Sequence, residues 1–151
     1  MERNNRHRLA ARAIIMRDDR LLLVNAYGDH RLGLWCAPGG GAHTHASLPD
    51  NLAREVHEET GMTVAVGTPV LINEFHDPDI GFHQVDLFFR CSIISGDISD
   101  NWQDPDGVVK QRRWFTYGEA TQLTLRPRKL VEIAWGDGSG IGYDPLEPIL
   151  L

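Results

Sequence analysis

Short apolar runs separated by polar breaks open the chain. Residues 9–16 and 20–25 are two apolar runs rich in β-forming residues, and the intervening Arg17-Asp18-Asp19 predicts a hairpin. Within the second run, residues 21–24 are continuously apolar, which is typical of a strand buried on both faces. The chain is therefore expected to begin with a β-hairpin inside a covered sheet.

The later segments continue this alternation of apolar runs with turns and helical patterns. Strands are predicted at residues 32–37, 63–66, 70–75, 82–94 and 110–115, with a turn at 67–69. Helical patterns lie at residues 117–123 and 128–135. The basic lead-in, residues 1–8, and the glycine- and proline-rich end, residues 136–151, are expected to be irregular tails. We predict one mixed α/β domain over residues 1–151.

The most informative helix is predicted in the middle of the chain, between Ser47 and Gly61. Ser47 suits the N-cap position, and Asp50 follows it with the spacing of a capping box. Pro49 lies in the first turn, where its missing N–H costs little. Gly61 suits the left-handed position that ends a helix. The expected helix has about thirteen residues and is about 20 Å long.

Three carboxylates share one face of this helix. At about 100° per residue, Glu55, Glu58 and Glu59 fall within an arc of roughly 100°. Leu52 and Val56 lie on the neighbouring arc, where they can pack on a sheet. Carboxylates this close repel each other unless a positive charge lies between them, and Mg²⁺ or Mn²⁺ prefers such oxygen ligands. The pattern predicts a divalent-cation site.

This stretch resembles the Nudix box of Nudix hydrolases, G-x5-E-x7-R-E-U-x-E-E-x-G-U, where U is aliphatic. The matching positions are Gly40, Arg54-Glu55-Val56, Glu58-Glu59 and Gly61-Met62. The early glutamate of the box falls on Ala46, and His43 and His45 replace residues that are often Glu and Gly. The resemblance implies an α/β fold, the Nudix-type α/β/α sandwich with a mixed β-sheet.

The resemblance also implies an activity. Nudix enzymes hydrolyse the diphosphate linkage of nucleoside diphosphate derivatives, and ADP-ribose or a nucleotide sugar is the expected type here. Glu55, Glu58, Glu59 and the carbonyl of Gly40 would hold Mg²⁺ or Mn²⁺ beside the backbone of the glycines at 39–41. A nucleoside triphosphate pyrophosphatase is one alternative. A non-catalytic nucleotide-binding Nudix domain is another, which Ala46 keeps open.

Several site residues have two interpretations. Arg54 forms either a helical ion pair with Glu58 or a contact that orients a metal-binding glutamate. The general base is either Glu55 or a loop carboxylate, for which Asp104 and Asp106 are candidates. The sequence around these aspartates also suits a solvated turn.

Several other residues are candidates for substrate contacts. The backbone of Gly39, Gly40 and Gly41 is positioned to approach a ligand closely. The aromatic side chains at Trp35, Phe82 and Trp102 suit either base stacking or core packing. Arg31 and His83 suit either phosphate contacts or an ordinary surface.

Composition narrows the class of protein. The chain has 151 residues, of which 42% are hydrophobic and 24% charged, as in an ordinary globular domain. A net charge of −6 argues against a nucleic-acid polymer as partner. No apolar run reaches the roughly 20 residues of a membrane span, and the polar N-terminus indicates a cytoplasmic protein.

The same features indicate which partners to expect. A small nucleotide-derived substrate is compatible with the acidic chain, because bound metal would reverse the local field. The final apolar residues can pack on the domain or on the second subunit of a homodimer. Cys36 and Cys91 lie in apolar segments and are expected to be reduced.

Overall fold

The computed structural model describes residues 6–25 and 34–149. Within these residues, nine strands and three helices are named in chain order: β1 (Arg8–Arg17), β2 (Arg20–Asn25), β3 (Leu34–Trp35), β4 (Gly39–Gly41), α1 (Leu48–Thr60), β5 (Thr63–Asp77), β6 (Phe82–Ser95), β7 (Gln111–Thr116), α2 (Tyr117–Ala120), β8 (Thr124–Leu125), α3 (Leu130–Ala134) and β9 (Gly142–Pro148).

A mixed sheet forms the centre of the molecule. Its strands follow the order β7-β2-β1-β6-β5-β9, and β4 pairs with β1 outside this path. The pairs β1–β6 and β5–β9 are parallel, and the other pairs in this sheet are antiparallel. In the short pair of β1 with β4, Arg12 lies opposite Gly39. The register thus brings the glycines to the middle of the sheet.

The predicted hairpin is confirmed. β1 and β2 are antiparallel, with Arg17 opposite Arg20. Asp18 and Asp19 between them have φ angles of 51° and 61°, which suit a tight turn with the twist of the flanking strands. The apolar run at residues 21–24 of β2 is fully buried, as its continuous hydrophobicity predicted.

Two hydrophobic cores cover the two faces of the sheet. Leu52 and Val56 of α1 pack with Ile15 and Leu22 on one face. On the other face α3 packs with the core that contains Ile14, Leu23 and Phe88. Truncating a fully buried side chain such as Leu52 to alanine would cost about 2–5 kcal/mol of folding free energy. The layers form the α/β/α sandwich expected from the sequence.

The central helix matches its prediction closely. α1 has 13 residues, and the Ser47 side chain accepts a hydrogen bond from the Asp50 N–H at 3.1 Å. Gly61 ends the helix in the left-handed conformation with φ 78°, and its N–H donates to the His57 carbonyl. Both ends of α1 are therefore fixed by hydrogen bonds to residues next to it in the sequence.

Strand β5 corrects the predicted turn at residues 67–69. The strand continues from Thr63 to Asp77, and its pairing with β6 shifts register between Val66 and Leu71. A Cβ atom on Gly67 would lie 2.8 Å from the Arg90 carbonyl, so glycine permits the close approach of β6. Glycine and proline here mark a bulge inside one long strand rather than its end.

The C-terminal segment also differs from the prediction. Helices α2 and α3 have only four and five residues, shorter than the predicted spans 117–123 and 128–135. The expected irregular tail at 136–151 contains β9, which pairs with β5 at the sheet edge. The glycine and proline content of this segment predicted irregular structure, but an edge strand tolerates proline. None of the helices in the described ranges is both long and apolar enough to cross a bilayer.

Candidate active site

Helix α1 is joined to the glycine strand by a buried carboxylate. Glu59 is only 6% exposed, and its Oε2 accepts a hydrogen bond of 2.7 Å from the Gly39 N–H. On the carbonyl side, Arg12 Nη1 donates to the Gly39 oxygen at 3.4 Å and to the Ala37 oxygen at 3.2 Å. Gly39 is thus held from both sides, with its N–H turned towards the helix.

The same strand lets a second carboxylate approach the backbone. A Cβ atom on Gly40 would lie 3.1 Å from Cδ of Glu55 and 3.2 Å from each of its oxygens. The absence of a side chain on Gly40 therefore leaves room for the carboxylate of Glu55 beside β4. Two of the three predicted glutamates converge on the predicted glycines.

Arg54 links the remaining glutamate to the site. Its Nη1 donates to both oxygens of Glu58, at 3.2 Å and 3.1 Å, and its Nη2 donates to Glu55 Oε1 at 3.4 Å. The predicted helical pair is confirmed. Because the guanidinium is 38% exposed, the pair with Glu58 stabilises the helix by less than about 1 kcal/mol. Its main consequence is to orient two carboxylates.

The electrostatics of the site disfavour negative charge. Burial raises the pKa of Glu59 to about 8, although Arg12 and the Gly39 N–H act in the opposite direction. Burial also raises the pKa of Glu55; Arg54 lowers it and the neighbouring carboxylates of Glu58 and Asp106 raise it further. The ionised site lacks sufficient compensating positive charge.

These donors suit a hard divalent cation. Within residues 6–25 and 34–149, no three His, Cys, Asp or Glu side chains stand in a ready-made metal-binding arrangement. Arg54 contacts the oxygens of Glu55 and Glu58 that would serve as ligands. Oxygen donors whose pKa values are raised by burial and mutual repulsion are nevertheless the groups whose charge Mg²⁺ or Mn²⁺ would offset. The donor chemistry therefore fits these ions.

The two loop aspartates have different environments. Asp104 is buried, and its Oδ1 accepts from the Asp106 N–H at 3.0 Å. Its Oδ2 accepts from the N–H groups of Val108 and Val109, at 3.2 Å and 2.9 Å. Asp104 thus shapes the loop, whereas Asp106 is exposed and close enough to Glu55 to raise its pKa. Asp104 is in turn close enough to Glu59 to raise the pKa of that carboxyl, so both predicted candidates lie near the glutamates, and Asp106 has the more exposed carboxylate.

A buried asparagine, which sequence analysis missed, holds the loop before α1. Asn51 Oδ1 accepts from the His43 N–H at 3.0 Å. Its Nδ2 donates to the carbonyls of Ala46 and Ser47, at 3.2 Å and 2.8 Å. Ala46 itself is exposed, so the position of the missing box glutamate opens to solvent. The loop is fixed by Asn51 through backbone groups.

The aromatic and basic residues predicted to contact a substrate do not lie together in the structure. Trp35 lines a cleft on the sheet face opposite α1. Phe82 packs near Phe75, with ring centroids 5.8 Å apart, and does not line that cleft. His83 Nε2 pairs with Glu74 Oε2 at 2.8 Å, on the face that carries α1. Arg31 lies outside the described residues.

Trp102 supports the helix end instead of a ligand. Its Nε1 donates to the Glu58 carbonyl at 2.8 Å, and its ring lies against Gly61. Arg112 donates from Nε to the Glu59 carbonyl. These contacts satisfy carbonyls in the last turn of α1, which have no partner within the helix. Trp102 therefore has the packing role that was its alternative interpretation.

The cleft has a volume of about 90 Å³ and adjoins the carboxylate site through Arg12. Its aromatic lining includes Phe75 and Phe88, and its polar lining includes Asn73 and Asp86. Sequence analysis did not identify Arg12, Asn73 or Asp86. The available signal was local: Arg12 and Asp86 each lie between two apolar neighbours in β1 and β6, and Asn73 follows Ile72 in β5.

Comparison with known proteins gives a consistent picture. A family model described as NUDIX domain matches residues 6–135. The ADP-ribose pyrophosphatase of Methanocaldococcus jannaschii is 22% identical over 132 residues, covering 86% of this chain and 75% of the relative. Diphosphoinositol polyphosphate phosphohydrolase 2 of Rattus norvegicus is 27% identical over 130 residues, covering 85% of this chain and 66% of the relative.

Solved structures show the same fold. A UDP-X diphosphatase superposes with a TM-score of 0.70 at 19% identity, covering 92% of this chain and 68% of that protein. An ADP-ribose pyrophosphatase from Streptococcus suis 89-1591 superposes with a TM-score of 0.66 at 23% identity, covering 92% of this chain and all 100% of that protein. At these identities the likeness establishes the fold.

Proposed function

Because this chain belongs to the NUDIX family, we propose that it is a divalent-metal-dependent pyrophosphohydrolase. Its substrate is a nucleoside diphosphate derivative of the ADP-ribose or nucleotide-sugar type. Similarity to proteins named ADP-ribose pyrophosphatase and UDP-X diphosphatase supports this substrate class. The reaction breaks one P–O bond of the diphosphate with water and releases two phosphate monoesters.

One observation carries the proposal. Glu55 and Glu59 converge on the backbone of Gly39 and Gly40, and the pKa of each carboxyl is raised. Burying carboxylates close to one another is unfavourable unless positive charge offsets their desolvation and mutual repulsion. A diphosphate substrate, itself anionic, would need the same positive charge. A shared divalent cation meets both requirements.

The residues that would hold Mg²⁺ or Mn²⁺ are Glu55, Glu58, Glu59 and the carbonyl of Gly40. When bound, such an ion neutralises charge on the phosphoryl oxygens and lowers the pKa of water. The glycine backbone of β4 has no side chains that would block an approaching diphosphate. Binding and orientation by this surface would supply much of the rate enhancement.

Proton transfer is assigned to Glu55. Its carboxylate lies beside Gly40, and burial raises its pKa, which makes it a stronger proton acceptor than an ordinary carboxylate. Arg54 contacts both Glu55 and Glu58, so it fixes the direction of their oxygens. Asp106 is the loop alternative for the same proton.

The test is product formation with defined substrates and metals. ADP-ribose, UDP-glucose and ATP are incubated with the protein in Mg²⁺, in Mn²⁺ and in EDTA, and the products are separated and quantified by anion-exchange chromatography. Hydrolysis of ADP-ribose or UDP-glucose that requires metal is expected. Preference for ATP would support a nucleoside triphosphate pyrophosphatase instead.

A second candidate is a nucleotide-binding NUDIX domain without turnover. Two observations favour it: Arg54 contacts the oxygens of Glu55 and Glu58, and Ala46 replaces a box glutamate. Calorimetry would distinguish the two functions. Tight binding of ADP-ribose or UDP-glucose, with no product in either metal, would support the binding domain and contradict the hydrolase.

A further inference from the structure

A polar pair lies within the apolar cleft on the sheet. Asn73 of β5 and Asp86 of β6 are direct cross-strand partners, so their side chains leave the same face of the sheet. They are 3% and 4% exposed, and both line the cleft. Buried polar side chains are costly where their polar atoms have no hydrogen-bond partner.

Asn73 has an unused hydrogen-bond donor. Its Nδ2 is buried and has no hydrogen-bond partner within the described residues. Asp86 is better satisfied: its Oδ1 accepts from Gln84 Nε2 at 2.7 Å, and its Oδ2 lies 3.7 Å from Arg12 Nε. Each carboxylate oxygen has two lone pairs, so Asp86 retains capacity to accept. The cleft therefore offers a donor beside an acceptor.

The strand order places the positive charge of Arg12 on the side of Asp86 that faces away from Asn73. β6 lies between β5 and β1, so Asp86 is flanked by Asn73 on one side and by Arg12 on the other. A ligand N–H that donates to Asp86 would therefore have the Asn73 amide donor on one side and the Arg12 guanidinium on the other. This environment favours an oxygen at both flanking positions and disfavours an amino group near Arg12. A ligand ring that fits these three residues therefore presents an oxygen, an N–H and a second oxygen in a row along one edge.

Uracil presents that edge, because its imide N–H lies between two carbonyl groups. Cytosine and adenine each carry an amino group on this edge, and guanine carries one beside its ring N–H. The small volume, about 90 Å³, also favours one ring, since pockets for larger ligands have roughly 300–1,000 Å³. Aromatic residues such as Trp35 and Phe75 line the cleft and suit a flat ring.

Hydrogen bonds through Arg12 and Gly39 link the lining of the cleft to the carboxylate site. Arg12 lines the cleft and donates to the Gly39 carbonyl, while the Gly39 N–H donates to Glu59. A ligand that spans the two sites would place its ring by Asn73 and its diphosphate by the glycine strand. We propose that this cleft is a uracil-binding subsite, in which Asn73 and Asp86 select UDP-linked substrates. The inference rests on the proposed hydrolase for its substrate class, but the subsite can be measured separately.

The experiment varies only the base. UDP-glucose, CDP-glucose, ADP-glucose and GDP-glucose share the sugar and the diphosphate, and kcat/KM is measured for each with Mn²⁺ or Mg²⁺. We expect UDP-glucose to exceed the other three at least tenfold. Asn73→Leu keeps a similar shape and removes the donor, so it should lower kcat/KM for UDP-glucose at least tenfold, mainly through KM. The CDP-glucose value should change little.

Two controls keep this result interpretable. Asn101→Leu changes an exposed asparagine outside the cleft and should leave the preference intact. Asn73→Ala replaces Asn73→Leu if the latter lowers Tm. Hydrolysis of all four sugars at comparable kcat/KM, or an unchanged preference in both Asn73 variants, would overturn the subsite while the hydrolase stands.

Binding without metal separates the two proposals. UMP and CMP are titrated calorimetrically into the protein in EDTA, and UMP should bind at least tenfold more tightly, with the difference lost in Asn73→Leu. Selective UMP binding without hydrolysis of any of the four nucleotide sugars would support the subsite and contradict the hydrolase. Absence of both turnover and selective binding would overturn both.

Discussion

The Glu59 carboxylate accepts a 2.7 Å hydrogen bond from the N–H of Gly39, which joins the last turn of α1 to the middle of the sheet. This bond requires Gly39 in its observed conformation, with φ 147°. A Cβ atom there would lie 2.1 Å from the Ala11 carbonyl oxygen. The position therefore has room for glycine alone, and its neighbours are backbone atoms that cannot move independently of β1.

Gly39→Ala is accordingly expected to displace β4 from β1 and to break the contact with Glu59. The variant should lose at least tenfold in kcat/KM for the preferred substrate and should have a lower Tm by differential scanning calorimetry. Gly118→Ala is the matched control, because a Cβ atom at Gly118 meets nothing within 4 Å. Equal stability of the two variants would contradict the steric argument.

Removing charge from the metal-binding candidates should stop turnover without unfolding the protein. Glu58→Gln and Glu59→Gln keep the shape of each side chain, and each is expected to reduce kcat at least a hundredfold at saturating metal. Glu132→Gln, on the exposed side of α3, is the control and should retain full activity. Near-normal rates in both site variants would rule out the assigned metal role.

Local sequence signals predicted the helix of this site, and long-range pairing determined the rest. Ser47, Gly61 and the spacing of the three glutamates fixed the ends and the acidic face of α1, because caps and helical periodicity depend on near neighbours. Arg12 could not be found in this way, since it reaches Gly39 only through the register of β1 with β4.

The cleft escaped prediction for the same reason. Asn73 and Asp86 meet only because β5 pairs with β6 in one register, and a shift of one residue would separate their side chains. The edge strand β9 was hidden by its glycine and proline content, although it borders the same cleft through Glu147. Local pattern therefore predicted the helix that carries the candidate site better than it predicted the cleft beside it.

The raised pKa of Glu59 predicts a pH dependence of stability in metal-free protein. In the folded chain the pKa of Glu59 is about 8, above the 4.5 of an ordinary glutamate, so between these values the folded state binds more protons than the unfolded state. The contribution of Glu59 to the free energy of unfolding is then fully present below pH 4.5. It falls as pH rises towards 8, by up to about 1.4 kcal/mol per pH unit. In EDTA, Tm should fall from pH 5 to pH 8.

Glu59→Gln provides the comparison, because an amide does not titrate. The variant should lose most of this slope, and the Tm difference from the parent should favour the variant increasingly towards pH 8. Adding Mn²⁺ to the parent should raise Tm more at pH 8 than at pH 6, since ionised carboxylates bind the cation. A parent Tm that rises between pH 5 and pH 8 in EDTA would contradict the assigned pKa.

Asn51 should matter for the loop that precedes α1. Its side chain holds the backbone of His43, Ala46 and Ser47 through three hydrogen bonds, and it is 3% exposed. Asn51→Ala would leave these backbone groups without their partner, at a cost of about 1–3 kcal/mol in the free energy of unfolding. Urea denaturation measures this loss, and Asn101→Ala, at an exposed position, should change stability by less than about 0.5 kcal/mol.

The same substitution distinguishes a loop that merely stabilises the fold from one that positions the glutamates. If the loop places Glu55, Asn51→Ala should also lower kcat at temperatures well below its Tm, because the carboxylate is no longer held beside Gly40. A variant that is less stable but keeps the parent kcat would restrict Asn51 to a structural role. Raising the metal concentration should restore little of the lost rate, since the defect lies in positioning the proton acceptor.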